Sequence, residues 1–197
     1  GFRGPQLVVS RGSTEFIEWL FRAEVPEMET NAVEIKGIAR EAGVRTKVAV
    51  FSSVPGVDPV GTFVGGHGTR VNAVMSEVGE QEKIDIVVWA DKSLDYITNA
   101  LSPTKVSKVE LDEKNKKAKV IVAEDQLSIA IGKGGQNVRL ASKITGYDLD
   151  IAAETAPTPV EKLTTKTVAP PKLKKKEQLE SSLLEAIEEH GTDDKDK

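Results

Sequence analysis

The chain has 197 residues, with 27 Lys plus Arg against 31 Asp plus Glu, a net charge of −4 and no cysteine. That length supports one or two small domains with modest cores, and no apolar run approaches the ~20 residues that a membrane span needs. The missing cysteines exclude a disulfide framework and thiolate metal sites and fit a reducing cytoplasm, the expected location, while the acidic balance argues against broad, non-specific phosphate binding but leaves local binding in a groove open.

The start, Gly-Phe-Arg-Gly-Pro, has neither initiator Met nor apolar signal region and reads as a piece of a longer protein. Residues 14–23, with Phe16, Ile17, Leu20 and Phe21 on one face, predict a helix capped by Ser13 or Thr14. Residues 32–39 and 46–51 predict strands joined through the Glu41-Ala42-Gly43 turn. A short helix over 59–64, the turn Gly65-Gly66-His67-Gly68, a helix over 69–78 and a strand over 84–89 follow. Residues 93–101 form a linking helix. Strands over 106–111 and 118–122, a helix over 126–131, the turn Gly132-Lys133-Gly134-Gly135, a helix over 136–145 and a strand over 148–151 complete the ordered part. Composition changes at residue 154, where Pro, Thr and Lys take over and predict a disordered linker to residue 176. Leu179, Leu183, Leu184 and Ile187 then share one face of an acidic helix over 177–190, either solvated or a docking helix for a partner, before a disordered end.

The order helix, two strands, two helices, strand occurs twice, with the linking helix serving as the first helix of the second unit. Asp58 and Asp125 each stand seven residues before a glycine turn, Gly65 and Gly132, and each is placed to cap the short helix it opens. Duplication of one α+β module is the simplest explanation. The expected domains are 1–100 for the first module with its lead-in and linking helix, 101–153 for the second, and 154–197 for the tail.

A Gly-x-x-Gly turn between two helices lets a sugar–phosphate strand lie against the main chain, because no Cβ intervenes. The next helix then points unpaired N–H groups at the phosphates. One such turn is a weak signal, since many loops contain one. Here it occurs twice, after Val64 and Ile131, with apolar residues returning at helical spacing in Val71, Val74 and Val78 and in Val138, Ala141 and Ile144.

These residues carry a resemblance. Arg3 to Arg11, Val57-Asp58-Pro59-Val60-Gly61, Glu82 to Val87, Asn99-Ala100-Leu101-Ser102-Pro103 and above all the run Asp125 to Ala141 resemble the KH region of the bacterial NusA family over residues 3–152. The resemblance implies two tandem type II KH domains, each α-β-β-α-α-β, packed together. It also implies binding of nascent single-stranded RNA during elongation, pausing, termination and antitermination, with RNA polymerase and other transcription factors as partners of the full-length protein. KH modules clamp about four nucleotides, with bases in an apolar groove beside the turn. The residues implied are Gly65, Gly66, His67, Gly68 and Arg70 in the first module, and Gly132, Lys133, Gly134, Gly135, Gln136, Asn137 and Arg139 in the second. The turn amides would hold phosphate, Lys133 and Arg139 would add charge, and Gln136 and Asn137 would reach base edges or sugar hydroxyls. The first turn departs from the family pattern by lacking a lysine, for which Arg70 partly compensates.

No cofactor, metal or membrane partner is expected, and a monomer is. His67 has no second His or Cys at ligand spacing. Gly-Lys-Gly-Gly is not the nucleotide-binding phosphate loop, and no catalytic cluster is visible, so an enzyme is not expected. The main rival is a scaffold that binds proteins instead of RNA. Trp19 and Trp89 read as core or interface residues, and Lys114 to Lys117, Lys172 and Lys174 to Lys176 as solvated basic patches. Because only the second turn carries a lysine, Lys133→Asp with Gly134→Asp should cost more RNA affinity than Gly66→Asp with His67→Asp. Equal losses by fluorescence anisotropy would contradict that asymmetry.

Overall fold

A computed structural model describes residue 4 and residues 7–154. The predicted linker after residue 154, the acidic helix and the disordered end, with the basic patch at Lys172 and Lys174 to Lys176, lie outside the described residues. Helix α1 (Thr14–Glu24) starts where the Ser13 hydroxyl accepts the Phe16 N–H at 3.3 Å, and it buries Ile17, Leu20 and Phe21. Pro26 then opens a short 3₁₀ turn, Pro26–Met28, which has no apolar periodicity to announce it but buries Val25 and Met28. Strands β1 (Glu34–Glu41) and β2 (Arg45–Phe51) form the antiparallel hairpin, and β3 (Lys83–Val88) lies parallel to β2. Between β2 and β3 come α2 (Pro59–Val64) and α3 (Thr69–Val78).

The second module repeats this in α4 (Ser93–Ala100), β4 (Val106–Asp112), β5 (Lys117–Val122), α5 (Leu127–Ile131), α6 (Gln136–Thr145) and β6 (Asp148–Ala153). Its sheet has the same order and directions, with β5 central. Even an irregularity recurs, since both first strands slip register early, between Ile35 and Gly37 and between Val106 and Lys108. The α-β-β-α-α-β order read from sequence is therefore present twice.

Each sheet has a core on one face. Ile17, Phe21, Val48, Val50, Phe63 and Val74 belong to the first, and Ile97, Leu101, Val120, Val122, Ala130 and Ala141 to the second. Ile97 and Ala100 place α4 in the second core, so the helix counted with the first domain packs with the second. The other face of the first sheet carries small residues, with Ala39 and Ala49 fully covered. Their size lets α6 approach β1 and β2, where Leu140 is completely buried. Tyr96 closes this junction by donating its hydroxyl to the Ile144 carbonyl at 3.0 Å, and Asn99 donates to the Val88 carbonyl at 3.1 Å. Burial raises the Tyr96 phenol to about 12. Trp89 is half-buried there, edge-on to Phe51, but Trp19 is 64% exposed and is no core residue, because α1 turns only its Ile17/Leu20/Phe21 stripe inward. Asp125 also departs from expectation. Asp58 caps α2 through the Val60 N–H at 3.0 Å, whereas Asp125 falls inside a 3₁₀ turn, Glu124–Gln126, and α5 has no side-chain cap.

One buried ion pair ties the first module together. Arg40 donates to both Glu82 oxygens, at 2.8 and 3.0 Å, and to the Ser13 carbonyl at 2.6 Å. Glu82 also accepts from the Thr46 hydroxyl at 2.7 Å and the Gly43 N–H at 2.8 Å. Burial pushes the Glu82 carboxyl up, but the bonds from Arg40, Thr46 and Gly43 together outweigh it and hold the group below its ordinary value. Its stabilisation is thus complete above the unfolded-state glutamate pKa and is lost as pH falls through the lower folded value. Glu82→Ala, which leaves Arg40 buried and unpaired, should cost about 3–5 kcal/mol in urea unfolding at neutral pH. The gap to wild type should narrow in acid, and a pH-independent gap would contradict this assignment.

Candidate nucleic-acid interface

The two glycine turns have nearly the same backbone. Gly65 has φ 76° and ψ 166°, and Gly132 has φ 75° and ψ 168°. This region is open essentially to glycine alone. Each glycine also sits against the helix that follows. A Cβ on Gly65 would lie 2.9 Å from Arg70 Cγ, and one on Gly132 would lie 2.8 Å from Asn137 Cβ. The Gly68 N–H donates to the Gly65 carbonyl and the Gly135 N–H to the Gly132 carbonyl, both at 3.0 Å. The i→i+3 ladder thus begins at the fourth residue of each turn. The amides of Gly66 and His67, and of Lys133 and Gly134, precede it at the exposed entrance to α3 and α6. Free N–H groups at a helix start suit an anion.

Matching the turns position by position sharpens the departure seen in the sequence. Lys133 corresponds to Gly66, and His67 takes the place of Gly134. His67 has φ 54° and Gly134 φ 60°, so the histidine holds a left-handed conformation that costs L-residues roughly 1–2 kcal/mol. Lys133 and His67 are both exposed beside their amides.

Arg70 and Asn137 also correspond, and both act inward. Arg70 donates to the Thr62 carbonyl at 2.8 Å and pairs with Glu27 at 3.0 Å. A backbone N–H first, and Arg70 second, hold the Glu27 carboxyl below its usual range. Asn137 is 4% exposed, and its amide donates to the carbonyls of Leu101, Ile129 and Ala130 at 3.0–3.3 Å. Both side chains tie the end of one helix to the start of the next. Asn137 therefore does not present its amide to base edges, and the Arg70 charge is spent on Glu27. Gln136 keeps a half-exposed side chain at the turn. Arg139 donates to the Gly134 carbonyl at 2.8 Å and pairs with Glu41 at 2.7 Å.

Two clefts lie on the paired modules, one of them lined by the second turn. One, of about 340 Å³, is bordered by Ser128, Ile129, Gly132, Lys133, Gln136, Asn137, Pro103 and, from the first module, Arg45. The other, of about 350 Å³, runs between Val60 on α2 and Ile86–Val88 on β3 to Ser102–Thr104. Pro103 borders both. Ile129 and Ile131 stay 46% and 38% exposed on α5, leaving apolar surface next to the second turn. Arg45, Pro103, Glu27 and Glu41 were not selected from the sequence. They sit at strand ends and turns, where no periodicity marks a site, and the run that includes Pro103 signalled family and not function. Among the described residues no group of acidic or His side chains could hold a metal.

The twofold α-β-β-α-α-β fold, with a Gly-x-x-Gly turn between the two central helices of each copy, defines a tandem KH-domain protein. The family described as "NusA-like first KH domain" matches residues 11–89, and "NusA-like second KH domain" matches residues 93–158. The chain belongs to the NusA family, whose KH pair it carries. It is 54% identical over 147 residues to the transcription termination/antitermination protein NusA of Thermus thermophilus, covering 75% of this chain and 38% of that protein. It is 50% identical over 153 residues to the protein of that name from Bacillus subtilis, covering 78% and 41%. The chain thus spans about two fifths of the length of these curated relatives. A solved structure described as "Crystal structure of APE1850" shares the fold, with a TM-score of 0.51 at 22% identity over 73% of this chain and all of that one.

Gly132→Ala must force both a glycine-only conformation and a contact with Asn137, and should cost about 1–3 kcal/mol or more in urea unfolding. Gly134→Ala meets nothing within 4 Å and should cost only about 1 kcal/mol. Equal costs would contradict the packing role of the first glycine.

Proposed function

We propose that this chain is a non-enzymatic module that binds single-stranded RNA along both glycine turns. The observation that carries the reading is the matched pair of exposed amide turns, each at a helix start, with a cleft lined by Gly132 and Lys133 at the second turn and Pro103 shared between it and a cleft between α2 and β3. Phosphates would sit on the amides of Gly66 and His67 and of Lys133 and Gly134. Lys133 would add charge to the second site, and Gln136 would offer a hydrogen bond to a base or sugar. Bases would lie against Ile129 and Ile131, since stacking and apolar contact with splayed bases suit single strands better than duplex. The net charge of −4 does not oppose this, because screening lets the local cation beside the turn decide.

In the longer protein the RNA would be the nascent transcript, engaged in the cytoplasm during elongation, pausing, termination and antitermination next to RNA polymerase. The relatives' shared description as termination/antitermination proteins supports that setting. The chain itself would act as a monomer.

The test is fluorescence anisotropy with a short labelled single-stranded RNA at two salt concentrations. Lys133→Asp with Gly134→Asp should weaken binding tenfold or more while circular dichroism stays unchanged, because two carboxylates would occupy the phosphate position. Unchanged binding would remove the second turn from the site, and an intact chain that binds no RNA would favour a protein scaffold. Gly66→Lys, which copies the second turn into the first, should tighten binding and steepen the salt dependence by about 0.7 per added phosphate contact. No change in slope would show that position 66 does not face phosphate.

A further inference from the structure

We infer that Arg139 is a positioning residue for the second turn rather than a phosphate ligand, and that Glu41 of the first module completes this brace. The inference rests on the RNA-binding reading above. Arg139 stands on α6 four residues after Gly135. Its Nη2 donates to the Gly134 carbonyl at 2.8 Å, and its Nε forms an ion pair with Glu41 Oε1 at 2.7 Å. Glu41 is the last residue of β1, paired across the hairpin with Arg45. One planar guanidinium thus links the third residue of the turn to the sheet of the other module. Its planar fork fixes the direction of the Gly134 bond, as a lysine's would not, while Glu41 holds the guanidinium by charge.

The turn needs such a link. A Cβ on Gly134 or Gly135 would meet nothing within 4 Å, so neighbouring side chains do not confine that stretch. Three glycines ordered only upon binding would cost conformational entropy, and a brace formed beforehand removes part of that cost. The first turn is built differently. Its Arg70–Glu27 pair is internal to the first module, and the position matching Arg139 is Asn72. Among the described residues, only the second turn is braced from outside its own module. Its readiness for RNA therefore depends on the packing of α6 against β1.

Charge alone predicts the opposite sign. Glu41 is a carboxylate close to the phosphate site, and removing it should help a polyanion bind. The brace predicts that removing it hurts. Arg139 is 49% exposed and Glu41 22%, so the effect is moderate.

The experiment measures Kd over a salt series for a fluorescein-labelled single-stranded RNA of twelve nucleotides in mixed sequence. It compares the full chain with Glu41→Gln, Arg139→Gln and the double variant. Glu41→Gln should weaken binding about two- to fivefold. The double variant should bind no more weakly than Arg139→Gln, and all salt slopes should match wild type. Unchanged or tighter binding by Glu41→Gln overturns the inference. So does a slope reduced by about 0.7 in Arg139→Gln, which marks a direct phosphate contact. Without RNA, the amide resonances of Gly134 and Gly135 should shift in Glu41→Gln, and unmoved resonances overturn the brace. Should the wild-type chain bind no RNA, the functional reading fails, and the resonances alone decide the brace.

Discussion

The contact between the first glycine of each turn and the helix after it governs the rest of the interface. With φ near 75° and ψ near 167°, Gly65 and Gly132 reverse the chain so tightly that the next helix starts against them. Any Cβ there would collide with Arg70 or Asn137. That close approach directs the next two amides outward in place of closing them into a longer helix. Arg70 and Asn137, different in chemistry, meet the same demand by binding carbonyls of the preceding helix, at Thr62 and Ile129. The repeated module therefore preserves a geometry, and side chains vary around it.

The modules are unequal partners. The small residues Ala39 and Ala49 leave the first sheet able to receive α6, and Leu140 and Tyr96 fill that contact. The same side of the second sheet carries Lys108, Lys119, Ile121 and Ala152 around an open depression of about 530 Å³. That depression exceeds either of the two clefts in volume but has no glycine turn and no helix start to supply amide donors, so its size does not recommend it as the RNA site. The charge is unequal as well. Lys133 stands beside the amides of the second turn, where the first turn has Gly66, and His67 takes up a left-handed position that the second turn gives to glycine.

Much of the fold was legible in the sequence because duplication let each half check the other. The 3.6-residue stripe of Ile17, Leu20 and Phe21 and the alternation through Val48 and Val50 marked elements that tertiary packing then kept. What stayed hidden depends on contacts across the chain. Nothing local distinguishes Asn137, whose amide is spent on the Leu101, Ile129 and Ala130 carbonyls, from the half-exposed Gln136 beside it, and both looked like ligand contacts. Arg70 looked like a free cation until Glu27, 43 residues earlier, was found against it. Trp19 loses only the core half of its core-or-interface reading, since an aromatic residue suggests burial but the helix turns this one outward. Glu41 and Arg45 carried no site signal, because the Arg139 pair and the cleft border they supply exist only where the second module packs on the first.

The account's central claim is that RNA phosphates lie on the amides before α3 and α6. The most direct measurement is a titration of the isotopically labelled chain with a short single-stranded RNA, followed through its backbone amide resonances. The largest shifts are predicted at Lys133 and Gly134, then at Gly66 and His67, with smaller ones at Ile129 and Gln136. Shifts centred on Lys119, Ile121 and Ala152, with both turns unmoved, would contradict the claim and move the RNA to the open face of the second sheet.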